Sequence, residues 1–207
     1  MKPTTNDAPD LGNECSAMPY NVRSELQSWP LEEIQAYAKD TALPFAVALA
    51  NVAGDLNTGN IIRSAAIFGA ERVFVFGRKR YDRRSTVGAH HYVPVLHHIY
   101  EETFEWDTTL QTIRLSGYTP ILIEQAGNYP IHEFNVQSYH PVCLVFGPEN
   151  VGIPVDICQT EQCYHIPQHG VLRSLNVATA AGIAMYHVMQ QLTIETSLAV
   201  RLNMHSQ

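Results

Sequence analysis

The 207-residue chain has no long hydrophobic run. Its longest apolar stretches, such as Phe45 to Ala50 and Val142 to Phe146, are far too short to span a bilayer. The N-terminus, MKPTTNDAPD, lacks the basic start and apolar stretch of a secretory signal. Cysteine is scarce, at Cys15, Cys143, Cys158 and Cys163, and without an export signal reduced thiols are expected. A cytoplasmic protein with no membrane attachment is therefore the expectation. Two nucleotide-binding fingerprints are also missing. Without G-x-G-x-x-G an ordinary Rossmann site is disfavoured, and without G-x-x-x-x-G-K-[ST] so is a P-loop enzyme. No internal repeat or low-complexity segment is present. Positive charge is in deficit as well: 13 Lys and Arg against 20 Asp and Glu leave a net charge of −7, unlike a generic nucleic-acid binder.

What is present describes one globular core. The hydrophobic fraction of 45% is ordinary for a folded domain, and the length allows one substantial core with a small appendage. The few cations are gathered: six of the 13, Arg72, Arg78, Lys79, Arg80, Arg83 and Arg84, lie within one short stretch opposed only by Asp82. Directly after a predicted strand, that stretch suits an anionic ligand better than a plain solvated loop.

Residues 1–43 read as an N-terminal extension. Its first 20 or so residues are a Pro-, Asn-, Asp- and Thr-rich flexible tail, followed by a weak helical pattern from Glu25 to Lys39. The main domain spans 44–192, and 193–207 forms a C-terminal tail. Strands are predicted at Pro44 to Val52, Arg72 to Gly77, His91 to Ile99, Pro120 to Glu124, Val142 to Phe146 and Tyr164 to Ile166. Helices are predicted at Thr58 to Phe68, Glu101 to Leu115, from near Pro154, and at Asn176 to Leu192. In the last helix Val177, Ile183, Val188, Met189 and Leu192 spread around several faces, which suggests burial on more than one side and cover from a second subunit. The alternation specifies an α/β domain with a mostly parallel sheet and helices on both faces.

Three segments place polar residues at the C-terminal edge of a predicted strand, where parallel sheets bind ligands. The first is NTGNIIR, Asn57 to Arg63; Asn57 alone reads as a helix cap, and Arg63 alone as half of a structural salt bridge. The second, FGPENVGIP from Phe146 to Pro154, is a tight loop able to approach a ligand by its backbone. The third, IPQHGVLRSLNVATAAG from Ile166 to Gly182, ends a strand and opens the last helix, with Ser174 or Asn176 as its cap.

In this order and at these spacings, the three segments resemble the signature of the SpoU/TrmH branch of the SPOUT methyltransferases, across roughly 44–192. The resemblance implies a C-terminal segment threaded into a trefoil knot, a homodimer, and S-adenosylmethionine as methyl donor. It implies an RNA 2′-O-ribose methyltransferase, with tRNA favoured over rRNA because so little chain precedes the first strand. Phe146, Gly147, Ile166, Pro167, Leu175 and Asn176 are the implied cofactor contacts. Asn57, Arg63, Glu149, Ser174 and Asn176 are the implied catalytic residues. Arg63 either serves as base or grips a phosphate and the developing alkoxide, and Glu149 either orients it or takes the proton; a guanidinium rarely gives up its proton. Arg78, Lys79, Arg80, Arg83 and Arg84 are assigned to RNA phosphates.

The competing reading is a catalytically inactive RNA-binding homodimer of the same fold. No metal is expected: Cys158, Cys163, His165 and His169 match no strong zinc spacing. The pairs His90–His91 and His97–His98, as neighbours in or beside a strand, point to opposite faces.

Overall fold

The computed structural model describes residues 21–78, 81–100 and 103–204, with side chains as far as residue 194. The predicted flexible tail with Cys15, and the RNA-contact candidates Lys79 and Arg80, lie outside the described residues. Among those residues the order is α1 (Leu31–Asp40), β1 (Leu43–Ala50), α2 (Asp55–Ile67), β2 (Ala70–Gly77), β3 (Val95–Ile99) and α3 (Trp106–Leu115). There follow β4 (Thr119–Ile123), β5 (Tyr129–Pro130), β6 (Val142–Phe146), α4 (Val155–Thr160), β7 (Cys163–His165) and α5 (Val177–Met204).

The seven strands form one sheet in the order β3-β2-β1-β6-β4-β7-β5, and every pairing is parallel. Parallel strands need crossover connections, so helices cover both faces and the central strands are apolar on both sides. Phe45, Val47 and Leu49 of β1 pack into one cluster with Val142, Leu144 and Phe146 of β6, Ile61, Ile62 and Ala65 of α2, and Ala184 and Val188 of α5. The alternate residues Ala46, Ala48 and Ala50, with Cys143 and Val145, pack on the other side against Leu110 and Ile113 of α3 and Cys158 of α4. Residues 45–50 are wholly buried, which is why this run shows no alternation of polarity in the sequence.

Several boundaries differ from the sequence expectation, each for a physical reason. Pro30 divides the predicted 25–39 helix into a 3-10 turn (Ser24–Leu26) and α1, because its missing N–H suits only a helix start. The helix α2 begins at Asp55, ahead of Thr58, and its N-cap is Gly54; Asn57 is not the cap but sits inside the first turn. Strand β3 is shorter than expected because His91 belongs to a 3-10 turn, Ala89–His91. The helix α3 starts only at Trp106. The two-residue β5 has too little sequence to announce itself. The helix α5 runs on to Met204, through much of the segment read as a tail. Among the described side chains of α5, one face is covered, by Ala181, Ala184, Met185, Val188 and Leu192 at helical spacing, while Ile183 and Tyr186 are 41% and 47% exposed. The expected burial on several sides is therefore not met inside one chain.

Gly59, in the middle of α2, marks where the basic segment crosses the helix. A Cβ there would lie 2.3 Å from Ser85 Oγ and 2.4 Å from its carbonyl oxygen. Alanine normally stabilises a helix interior over glycine by about 1 kcal/mol, but here the backbone contact reverses the sign. Gly59→Ala is expected to lower stability by about 1–3 kcal/mol in urea denaturation, the range for overpacking; a gain would show that the 82–86 segment is free to move away.

Candidate active site

Glu149 and Asn176 are the centre from which the site is assembled. Glu149 follows β6, and its carboxylate reaches the start of α2, accepting from Asn57 Nδ2 at 2.9 Å, Ala53 N at 3.2 Å and Gly54 N at 3.4 Å. No side chain of α2's own N-terminus caps it, so a carboxylate from 92 residues along the chain takes that place. Partial positive charge at a helix start favours an anion there. Burial works to raise the Glu149 pKa, but the bonds from Asn57 and from the N–H groups of Glu149 itself, Ala53 and Gly54 outweigh it, holding the carboxyl below the usual range.

Asn57 carries the connection further, its Oδ1 accepting from Asn176 Nδ2 at 3.1 Å. Asn176 in turn caps α5 with its own Oδ1, which accepts from Ala178 N at 2.9 Å and Thr179 N at 3.3 Å. Of the two candidate caps, the structure selects Asn176. One line of bonds thus joins the three segments singled out in the sequence.

Two cavities flank that line. The larger, about 930 Å³, opens at the C-terminal edges of β4, β6 and β7. Its wall includes Glu124 and Gln125 after β4, Gly147 to Ile153 after β6, and Ile166, Gln168 and Arg173 to Asn176 after β7. Of the implied cofactor contacts, Phe146, Gly147, Ile166, Leu175 and Asn176 line this cavity and Pro167 does not. The smaller, about 340 Å³, is lined by Asn60, Arg63, Ser64 and Ile67 of α2 with Asn176, Ala178 and Thr179. Asn176 belongs to both. The structure therefore brings Glu149, Ser174 and Asn176 to the larger cavity and Arg63 to the smaller, with Asn57 bonded between them. Arg63 makes no hydrogen bond or ion pair with any described residue, so the salt bridge expected of it in isolation is not formed.

The basic segment is only partly available to an anion. Arg84 is held by Asp82 in a fork, Nε to Oδ2 at 2.9 Å and Nη2 to Oδ2 at 2.6 Å, whereas Arg83 is exposed and Arg78 has a partner of its own. Among the described residues no group of three His, Cys, Asp or Glu gathers as a metal cluster. Cys158 and Cys163 are buried against the sheet, away from the exposed His169. His97 stacks on Tyr81 at 5.0 Å and His98 on Phe76 at 4.7 Å, the opposite faces expected of strand neighbours.

With this geometry in hand, the family model for the SpoU rRNA methylase family matches residues 44–186. The chain belongs to the SpoU rRNA methylase family. It is 26% identical over 196 residues to an uncharacterized tRNA/rRNA methyltransferase of Synechocystis, covering 90% of this chain and 47% of that protein. It is 28% identical over 144 residues to the tRNA (guanosine(18)-2′-O)-methyltransferase of Mus musculus, covering 65% of this chain and 9% of that protein. Its structure superposes on the AdoMet-bound rRNA methyltransferase of Sinorhizobium meliloti with a TM-score of 0.61 at 27% identity, over 75% of this chain and 60% of that one. The chain spans about half the length or less of these curated relatives.

Within the SpoU framework, the sequence reading missed Glu124, Gln125, Gln168 and Arg173 in the wall of the larger cavity, and Asn60 and Ser64 in the smaller. Glu124 was within reach of the rule that picked the other segments, since it directly follows a buried strand; reading Pro120 to Glu124 as extended placed it inside the strand instead.

The lowered pKa of Glu149 fixes the sign of a pH effect. The carboxylate's contribution is complete above the ordinary glutamate value of about 4.3 and is lost as pH falls through the lower folded-state value. Glu149→Gln is expected to cost about 1 kcal/mol at neutral pH, the size of a lost helix cap, with the gap to wild type closing on acidification. Chemical denaturation across that range checks this, and a gap independent of pH would rule it out.

Proposed function

We propose that the chain is an S-adenosylmethionine-dependent RNA methyltransferase that modifies a ribose 2′-hydroxyl, with tRNA favoured over rRNA. The observation that carries this reading is the bond line Glu149–Asn57–Asn176, which sets an unpaired Arg63 beside one cavity and the backbone loops of 147–153 and 166–175 around the other. The methyltransferase assignment rests on the family and on the AdoMet-bound relative. The 2′-oxygen and the preference for tRNA both rest on the tRNA guanosine 2′-O activity in the murine relative's name.

The larger cavity fits the donor. Its volume lies within the roughly 300–1,000 Å³ of small-molecule sites, and its wall mixes apolar residues with loop backbone, suited to an adenine and a thioether chain. Gly147, Ile166 and Leu175 would hold it. S-adenosylmethionine supplies a methyl group made electrophilic by a sulfonium. The chain's own task is to place and polarise a poor nucleophile. Arg63, permanently charged and without an internal partner, pairs with a substrate phosphate and with the oxyanion developing on the ribose. Glu149 is committed to the donors at the start of α2, which makes it the positioner of Asn57 and Asn176, and the hydroxyl's proton passes to solvent water at the open cavity as the oxygen takes the methyl group. Ser174, exposed at the cavity rim, and Asn176, between the cavities, contact the substrate's sugar–phosphate.

Two further features belong to the proposal. After β7, beyond β4 in the sheet, the chain returns across the strand ends to pack α5 against α2, β1 and β6; we read this return as the trefoil knot. The open face of α5, with Ile183 and Tyr186, and Ile67 at 75% exposure on α2, forms an apolar ridge that a second copy of the chain covers. Ile183→Asp is expected to shift a homodimer to monomer in sedimentation; a monomeric wild type at micromolar concentration would remove the dimer. The buried thiols of Cys143, Cys158 and Cys163 fit a reducing cytosol.

The decisive experiment is methyl transfer from labelled S-adenosylmethionine into total RNA and into tRNA. Label in ribose is expected for the wild type, and Arg63→Ala is expected to lower the rate by about 100-fold or more, the scale of losing one oxyanion-stabilising donor. Label on a base would overturn the 2′-oxygen. RNA binding without any binding of S-adenosylmethionine would favour the inactive RNA-binding dimer.

A further inference from the structure

Glu124 is the first residue after β4, in the middle of the sheet between β6 and β7. Its N–H donates to the carbonyl of Tyr164 at 3.0 Å, which fixes its backbone against β7. Its side chain faces the wall of the larger cavity. One carboxylate oxygen, Oε1, accepts from Gln125 N at 2.7 Å, and the other, Oε2, accepts from Ile153 N at 2.9 Å. The loop after β6 passes so close that a Cβ on Gly152, where φ is +66°, would lie 2.7 Å from Oε2. An alanine there would meet both the left-handed backbone and the carboxylate.

Nothing in the mechanism above uses this group, yet it carries free acceptor capacity. An ionised carboxylate accepts about four hydrogen bonds. Glu124 uses one at each oxygen and keeps one at each. The cavity's other carboxylate, Glu149, is taken up by Asn57, Ala53 and Gly54. Of the neutral groups on the same side, Gln168 Nε2 already donates to Gln125 Oε1 at 2.7 Å. A pair of adjacent acceptors on one rigid carboxylate matches a vicinal diol, which offers two adjacent hydroxyl donors. An acidic side chain at the carboxyl end of a parallel strand serves ribose in this way in dinucleotide sites of unrelated sequence.

We propose that Glu124 is the ribose-binding residue of the methyl-donor site, taking the 2′- and 3′-hydroxyls of the adenosyl group on its two oxygens. This inference rests on the methyltransferase reading. The two backbone bonds from Gln125 and Ile153 hold the carboxylate in place before the ligand arrives, so little ordering remains to be done on binding.

Calorimetry on the full chain with S-adenosylhomocysteine and its 2′-deoxy and 3′-deoxy analogues tests it. In the wild type each deoxy analogue is expected to bind about tenfold or more weakly, the value of one hydrogen bond to a charged group. In Glu124→Gln, S-adenosylhomocysteine is expected to weaken by about tenfold and the gap to the deoxy analogues to shrink towards none. A residue that merely braces the loops would weaken all three ligands alike and leave the gap intact; that result overturns the proposal, as does a wild type indifferent to the missing hydroxyls. Should the amide variant not fold, Glu124→Asp, which draws the carboxylate back by one methylene, gives the same comparison. A wild type that binds none of the three removes the methyltransferase reading itself, a different outcome from a lost discrimination.

Discussion

A single carboxylate at the start of a helix organises this protein's chemistry. Glu149 stands in for the cap that α2 lacks, and in doing so it ties the loop after β6 to the loop after β1. Asn57 is then held with its amide nitrogen on Glu149 and its amide oxygen free for Asn176, which brings in the start of α5. Each bond is modest alone, roughly 1 kcal/mol net, but they act in series. Remove the anion and the orientation of Asn57 is no longer specified, and with it the place where the two cavities meet. A group under this demand is poorly suited to proton transfer, because its hydrogen bonds stabilise the charged form.

The sheet makes this convergence possible. In an all-parallel sheet every strand delivers its C-terminal end to the same edge, so residues distant in sequence arrive together without any local signal. β1 and β6 are neighbours near the centre, flanked by β2 and β4, with β7 beyond β4; the loops leaving β4, β6 and β7 build the larger cavity, while α2, which follows β1, and the start of α5 line the smaller. Alternation along β1 puts Ala46, Ala48 and Ala50 in the cluster under α3 and α4, and Phe45, Val47 and Leu49 in the cluster under α2 and α5.

The parts legible in the sequence were those fixed by local physics. Val142 to Phe146 is a continuous apolar run bounded by turn residues, and it is a strand over that whole span. Pro154 reads as a helix start and is the N-cap of α4. The three polar segments were legible as a set because they recur at strand ends in a recognisable order. What local pattern could not supply was partnership. Asn57 looked like a cap because nothing nearby revealed that Glu149 already filled that place. Arg63 looked like half of a salt bridge because only the fold shows that no acid faces it. The apolar flank of α5 was legible, but not which side of it the chain itself covers, because Ile183 is as apolar as Val188 and exposure depends on what stands opposite.

The proposed function asks where an acidic chain would hold a polyanion, and the arginines bear on it. A count along the sequence directs attention to the segment from Arg78 to Arg84, where Arg84 makes an exposed ion pair with Asp82, two residues away. Two other arginines line the cavities themselves, Arg63 the smaller, with no ion pair to a described residue, and Arg173 the larger, while Arg83 is exposed on the segment that packs over Gly59 of α2. Guanidiniums at these positions would give positional information that a diffuse basic surface lacks, since planar donors bind phosphate oxygens in a defined orientation.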